Sequence, residues 1–216
     1  MLLVQCDFDD TITVGNVSSL IRTKFAPDEW REMEDEYFAG RYSVEESNIR
    51  QYALMRAART EIEDYVRTHV MVREAFEEFT HYCHREGIRL AVVSSGLDLY
   101  IRPTMQQLGL DSLDVYSGNA QVNRSGIAVG YTDPSSKSLT RGFKESYLRH
   151  FKTSGYTVIY IGDGLSDIVP ATEADFVIAR SELEQHFRDN ALPFYTFRTF
   201  KDVAGHVEEI RRQIER

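Results

Sequence analysis

Apolar and polar positions fall into two textures along this chain. Leu2-Leu-Val-Gln-Cys6 is a short apolar run that stops at an acidic cluster, Asp7 to Asp10. It predicts a buried parallel strand carrying the acids at its carboxyl end. Behind Asn16, Val17, Leu20, Ile21 and Phe25 recur at helical spacing, and Pro27 opens a second helical stretch through Trp30, Met33 and Tyr37. Ser43-Val-Glu-Glu46 has the form of a capping box ahead of Ile49, Tyr52, Ala53 and Leu54, and Thr60-Glu-Ile-Glu63 predicts another. Residues 15–72 are therefore expected to be all helix.

From Arg73 the pattern changes. An amphipathic stretch to Arg85 stops at Gly87, and Arg89 to Ser94 predicts a buried strand ending in Ser94-Ser95-Gly96. A helix through Ile101 to Leu108 ends at Gly109. Leu113 to Val122 predicts a strand, with Asn123-Arg-Ser-Gly126 a hairpin-type turn before Ile127. A helix from Ser138 to Phe151 leads past Gly155 to Tyr156–Ile161, the strongest strand pattern in the chain, which ends at Gly162-Asp163. Two more strand–helix units follow: Asp175–Ala179 with Ser181–Ala191, then Phe194–Phe197 with Lys201–Ile214. Strands alternating with helices predict an α/β fold with a parallel sheet covered on both faces. Ligands of such sheets bind beyond the carboxyl ends of the strands.

Composition narrows the class. The 216 residues are 42% hydrophobic, enough for a core and too many for a disordered chain. The formal charge of −9 repels phosphate backbones, so nucleic acid is not an expected partner. A small phosphorylated substrate remains compatible, because a metal and a few local cations can invert the field inside a pocket. Cys6 and Cys83 show no paired spacing and are expected to be reduced, buried thiols. The apolar start, Met1 to Val4, is too short for a signal-peptide core, and no run approaches a membrane span. The expectation is a soluble, cytoplasmic protein with no membrane partner; no oligomeric state is signalled.

Four pieces of sequence can carry chemistry. Asp7-Phe-Asp-Asp-Thr11 follows a strand, and a turn there can aim Asp7 and Asp9 into one pocket, one as nucleophile and metal ligand, the other managing a proton. Ser94-Ser95-Gly96 offers a hydroxyl and free amides to a phosphate oxygen. A lysine to neutralise phosphate charge is either Lys137, in a Ser-rich loop, or Lys144, just past Gly142; Lys144 is favoured. Gly162-Asp163-Gly-Leu-Ser-Asp167 sets two acids near glycines at a strand end, and Mg²⁺ takes a few carboxylates plus water and phosphate. Each piece alone is also an ordinary turn, cap or surface charge. Their order along the chain, with three of them at strand ends, gives the set its meaning. A single cation can touch both acidic clusters only if the side chains of Asp7 and Asp163 lie within about 8 Å.

This ordered set, Asp7-Phe-Asp-Asp-Thr11, Ser94, Lys144 and Gly162-Asp163…Asp167, resembles the haloacid dehalogenase superfamily from Leu2 to about Ala179. The resemblance implies a Rossmann-like parallel-sheet core, residues 1–14 and 73–216, with an inserted small all-helical cap, residues 15–72. Cys6–Thr13, Lys24–Trp30 and Val93–Asp98 are similar to the branch of 2-hydroxy-3-keto-5-methylthiopentenyl-1-phosphate phosphatases of methionine salvage, relatives of the phosphoserine phosphatases. That branch usually has Gly where this chain has Asp10 and Ser95.

By this resemblance, Asp7 attacks phosphorus to give an acyl phosphate, and Asp9 serves as acid and then base. Thr11, Ser94, Ser95, Gly96 and Lys144 contact phosphate. Mg²⁺ is held by the side chains of Asp7 and Asp163 and the carbonyl of Asp9, and Asp167 orients that shell from outside. Asn16, Tyr37, Phe38, Arg41 and Arg50 are candidate cap readers of the leaving group. Asn16 stands where phosphoserine phosphatases typically carry an acid for the substrate ammonium, which lowers phosphoserine as a substrate. A phosphotransferase or phosphomutase shares the first half-reaction. A phosphorylatable receiver-like module, or a non-catalytic phosphate binder, is the alternative from another class. A dehalogenase is disfavoured because that chemistry does not use Asp9.

Overall fold

The structure, a computed structural model, describes residues 1–215. Strand β1 (Leu2–Cys6) is the middle of an eight-stranded sheet and is buried from Leu3 onward. Four helices follow it: α1 (Val17–Phe25), α2 (Trp30–Phe38), α3 (Val44–Ala53) and α4 (Arg59–His69). Then come α5 (Phe76–Arg85), β2 (Arg89–Leu97), α6 (Asp98–Gln107), β3 (Asp114–Asn123), β4 (Gly126–Thr132) and β5 (Ser138–Leu139). The last stretch runs α7 (Phe143–Thr153), β6 (Thr157–Gly162), α8 (Ile168–Glu173), β7 (Phe176–Ala179), α9 (Ser181–Asp189), β8 (Tyr195–Thr196) and α10 (Phe200–Ile214).

The strand order is β5-β4-β3-β2-β1-β6-β7-β8. From β3 to β8 every pairing is parallel, as alternation with helices predicts, and these strands build the continuous apolar core of Leu3, Val4, Val92, Ile159 and Ile161. The edge departs from the expected parallel sheet. The turn between Asn123 and Gly126 folds β4 back antiparallel onto β3, and β5 follows antiparallel onto β4. A tight hairpin leaves no room for the long crossover a parallel strand needs.

Two helix starts also differ from expectation. The stretch from Ser138 begins as β5, and its helix starts only at Phe143, after Gly142 takes a left-handed φ of +74°. Helix α4 starts at Arg59, not behind Thr60. Its first turn is closed by the Glu61 carboxylate accepting the Ala58 N–H at 2.7 Å. The Ser43 box forms as expected, with reciprocal bonds to Glu46.

Register decides where the chemistry collects. Cys6 lies opposite Val92 on one side and Ile161 on the other, so Asp7, Ser94 and Asp163 emerge along one edge of the sheet. The chain leaves and re-enters the core through one narrow crossing. Thr13 and Val72 form an antiparallel bridge, flanked by Val14 N–H to the Met71 carbonyl (2.8 Å) and Arg73 N–H to the Ile12 carbonyl (2.7 Å).

Candidate active site

The four sequence pieces meet in one cavity of about 330 Å³ between the sheet edge and the helical segment. Asp7 continues the β1 ladder by one bond, its N–H to the Ile161 carbonyl at 2.9 Å, and then turns its carboxylate into the pocket at 5% exposure. Lys144, from the first turn of α7, pairs with Asp7 Oδ1 at 2.8 Å and Asp167 Oδ1 at 2.6 Å. Lys137 lies on the exposed loop after β4 and does not line the pocket. Buried Gln5 in β1 anchors Lys144 from behind, its amide donating to the Lys144 carbonyl at 3.1 Å.

Asp167 is fully buried and fully engaged. Lys144 and the Tyr160 hydroxyl (2.6 Å) donate to Oδ1, and the amides of Asp163 and Gly164 donate to Oδ2 at 3.1 and 3.0 Å. Asp167 therefore shapes the loop that carries Asp163. Gly162 permits this approach, since a Cβ there would lie 2.6 Å from Asp167 Cγ. Asp163 Oδ1 accepts the Thr11 hydroxyl at 2.8 Å. Thr11 is fully buried and does not line the cavity, so its hydroxyl positions Asp163 instead of reaching for phosphate.

Asp9 is held on both oxygens. Oδ1 accepts the amides of Val17 and Ser18 at the start of α1 (2.7 and 3.2 Å), and Oδ2 accepts the Tyr100 hydroxyl at 2.8 Å. Its neighbour Asp10 adopts a left-handed φ of +53°, a conformation Asp tolerates better than most residues. Two arginines brace that turn: Arg73 donates to the carbonyls of Asp10, Thr11 and Thr13, and Arg180 reaches the Asp10 carboxylate at 3.1 Å.

Ser94, Ser95 and Gly96 are freed by a bulge in β2. Val93 pairs with Tyr116 and Leu97 with Gly118, so four steps of β2 face only two of β3. The surplus swings these residues into the cavity wall. Ser94 Oγ accepts the Gly96 amide at 3.0 Å. A Cβ on Gly96 would lie 2.2 Å from the Tyr100 hydroxyl and 2.8 Å from Asp9 Oδ2.

Of the candidate readers on the helices, Asn16, Tyr37 and Phe38 line the cavity, and Asn16 Oδ1 is already occupied in capping α1 at the Ser19 amide. Arg41 and Arg50 do not line it. Arg41 pairs with Glu36 at the surface, and Arg50 stacks 4.3 Å over the Tyr42 ring. Sequence reasoning missed Arg22, Asn48, Gln51, Tyr100 and Tyr160. For Arg22 a signal was present: Val17, Ser18, Ile21 and Arg22 form the buried face of α1, and polar residues on a core-facing stripe mark a lined cavity.

Burial raises Asp7 to about 7, although Lys144 pulls it down. Burial, with the charges of Asp167 and Asp7 added, raises Asp163 to about 9. Asp9 is raised by burial against the lowering effect of its three hydrogen bonds. For Lys144, burial acts to lower the ammonium, but Asp167 and Asp7 prevail and the net shift is upward. Asp7, Asp163 and Asp167 offer carboxylate oxygens all within 4.8 Å of one another, well inside the span one cation can bridge. Asp7, Asp9, Asp163 and Asp167 line the pocket against a single lysine, Lys144, an excess of acid that a cation would offset. The donor set is all oxygen, which suits a hard ion.

The comparisons with known proteins agree with this site. The haloacid dehalogenase-like hydrolase profile matches residues 4–169, and the chain belongs to that family. It is 30% identical to the 2-hydroxy-3-keto-5-methylthiopentenyl-1-phosphate phosphatase of Brevibacillus brevis, over 99% of this chain and 98% of that one. The enzyme of the same name from Geobacillus thermodenitrificans is 32% identical, over 97% and 96%. A solved phosphoserine phosphatase carrying a phospho-aspartyl intermediate analogue shares the fold, with a TM-score of 0.70 at 18% identity, covering 95% of this chain and 98% of that one.

Proposed function

We propose that this phosphatase acts on 2-hydroxy-3-keto-5-methylthiopentenyl 1-phosphate or a close analogue, with Mg²⁺ as its cation. The observation that carries the reading is the convergence of Asp7, Lys144 and Asp163 in one pocket. The full-length likeness to enzymes of that name supports the substrate. An apolar rim of Phe38, Val44 and Leu165 suits a short alkylthio tail.

An Asp7 oxygen attacks phosphorus in line, the bond to the ester oxygen breaks, and Asp9 gives that oxygen its proton. Asp9 then takes a proton from the water that attacks the acyl phosphate, which returns Asp7 and releases inorganic phosphate. The amides of Val17 and Ser18 and the Tyr100 hydroxyl keep the Asp9 carboxyl in one orientation through both steps. Lys144, Ser94 and the Gly96 region offset charge on the non-bridging oxygens. Bound through Asp7, Asp163 and the Asp9 carbonyl, Mg²⁺ would neutralise the buried acids and the phosphoryl oxygens. Residues 15–72 act as a cap that shuts water out, and residues 1–14 and 73–216 form the core.

The test is phosphate release from a panel of small phosphomonoesters in Mg²⁺ and in EDTA. The wild type should turn over keto or enol phosphates in Mg²⁺ only, and Asp7→Asn should be inert yet folded. Wild-type rates in Asp7→Asn would refute the assignment.

A further inference from the structure

Helix α3 touches the backbone beside both groups that hold phosphate in the reading above. Glu45 and Asn48 stand three residues apart on one of its faces, 2% and 5% exposed.

Glu45 serves the lysine side. Its Oε1 accepts the Phe143 N–H at 2.9 Å, from a residue 98 positions further along the chain. Helix α7 does not cap itself there, because Gly142 at its N-cap has no side chain to do so. A carboxylate at a helix start also meets the positive end of the helix dipole, which offsets part of the cost of burying it. The next residue is Lys144, whose carbonyl accepts from Gln5 and whose ammonium lies between Asp7 and Asp167. The first turn of α7 is therefore fixed from two sides, by Gln5 in β1 and by Glu45 in α3.

Asn48 serves the bulge. Its Nδ2 donates to the Ser95 carbonyl (2.8 Å) and to the Tyr131 hydroxyl (3.0 Å), and that hydroxyl donates to the same carbonyl (2.6 Å). Arg22 Nη1 donates to Asn48 Oδ1 at 3.2 Å, which sets the orientation of the amide. The bulge leaves Ser95 without a ladder partner in β3, so α3 and β4 supply the grip instead. The Ser95–Gly96 peptide is planar and trans. A carbonyl held twice therefore sends the Gly96 N–H the opposite way, to Ser94 Oγ at 3.0 Å.

Fastening the helix to the sheet does not require these two contacts. The start of α3 has others for that: the Ser43 hydroxyl donates to the Thr140 carbonyl, and Glu46 lies 3.7 Å from Arg141. What sets the buried pair apart is its targets, backbone groups next to Lys144 and Gly96.

We propose that Glu45 and Asn48 are positioning residues for the phosphoryl group, Glu45 setting Lys144 through the start of α7 and Asn48 setting the Gly96 amide through the Ser95 carbonyl. Phosphate is then held tightly only while α3 is seated. This rests on the phosphatase reading above and adds to it the residues that shape the anion site.

The experiment titrates inorganic phosphate calorimetrically into the Mg²⁺-loaded protein, comparing wild type with Glu45→Ala, Glu45→Gln and Asn48→Ala, with thermal unfolding measured beside it. Both alanine variants should weaken phosphate binding about tenfold, near 1.4 kcal/mol. Glu45→Gln keeps an oxygen for the Phe143 amide and should stay within about twofold of wild type. A loss as large as that of Glu45→Ala would overturn the role of Glu45. A structural role alone would lower the thermal midpoint and leave phosphate affinity unchanged. That result in the folded alanine variants overturns the proposal while the phosphatase reading stands. If one alanine variant does not fold the other decides, and Tyr131→Phe, which removes a single hydroxyl, replaces them should neither fold. A wild type that binds no phosphate and releases none from p-nitrophenyl phosphate overturns both.

Discussion

Tyr100 bonds to Asp9 from a helix that follows the bulge, and its hydroxyl opposes the upward pull of burial on that acid. Tyr100→Phe should therefore lower kcat about tenfold with little change in KM, since one hydrogen bond to a charged group contributes about 1.5 kcal/mol. The sign of the pH effect follows as well: without the donor the Asp9 carboxyl is raised further. The alkaline limb of kcat, where the acid loses its proton, should move to higher pH; a limb that stays put would remove Tyr100 from the acid–base step. Asp10 makes a second case. Asp10→Gly would relieve the left-handed φ of +53° but remove the carboxylate that Arg180 and the Gly15 amide use. The lost bonds outweigh the relief, so chemical unfolding should show a net destabilisation of about 1 kcal/mol. Among single residues, the acids were legible because strand-end position is written in the local pattern, and Lys144 because it stands just past Gly142 at the start of a helix. Arg22 was half legible, from the buried polar face of α1, and Tyr100 was not, because its partner Asp9 lies far away in sequence.

Elements place these groups. The bulge in β2 delivers Ser94 to Gly96 into the pocket, and it depends on Gly96 having no side chain. Gly96→Ala should push Tyr100 and Asp9 apart and lower kcat at least a hundredfold while the protein still folds, which rate and thermal midpoint measured together would establish. The strand–helix alternation that defines the sheet was readable, since each unit buries its own apolar run. The antiparallel edge was half legible: the Asn123–Gly126 turn announced a hairpin, but the short β5 pairing at Ser138–Leu139 depends on β4 being beside it. Thr60 looked like a cap by spacing, yet Ala58 holds that place because Glu61 reaches its amide.

In the whole molecule, the buried acids tie the fold to pH and to metal. Asp7 and Asp163 are both raised above their unfolded values, so without metal their contribution to stability is full below about 4 and is lost as pH rises through about 7 and then about 9. A cation that needs both carboxylates ionised reverses this trend. The rise in thermal midpoint caused by Mg²⁺ over EDTA should grow from pH 6 to pH 9, and a rise that is flat with pH would detach the ion from these acids. No helix among the described residues is long and apolar enough to cross a membrane.

The narrow crossing at Thr13 and Val72 has a mechanical result. Because the two passing segments are stitched together through Val14 and Met71, any swing of the helices must pivot beyond the stitch, at residues 15–16 and 70. The turn that Arg73 grips stays still, and Asp7 with it. Asp9 reaches across the pivot, its carboxyl clasped by amides at the start of α1. Lifting the helices would withdraw the amides of Val17 and Ser18 from Asp9 while leaving the Asp7–Lys144 pair in place, so in the proposed mechanism the acid would be aligned only with the helices down.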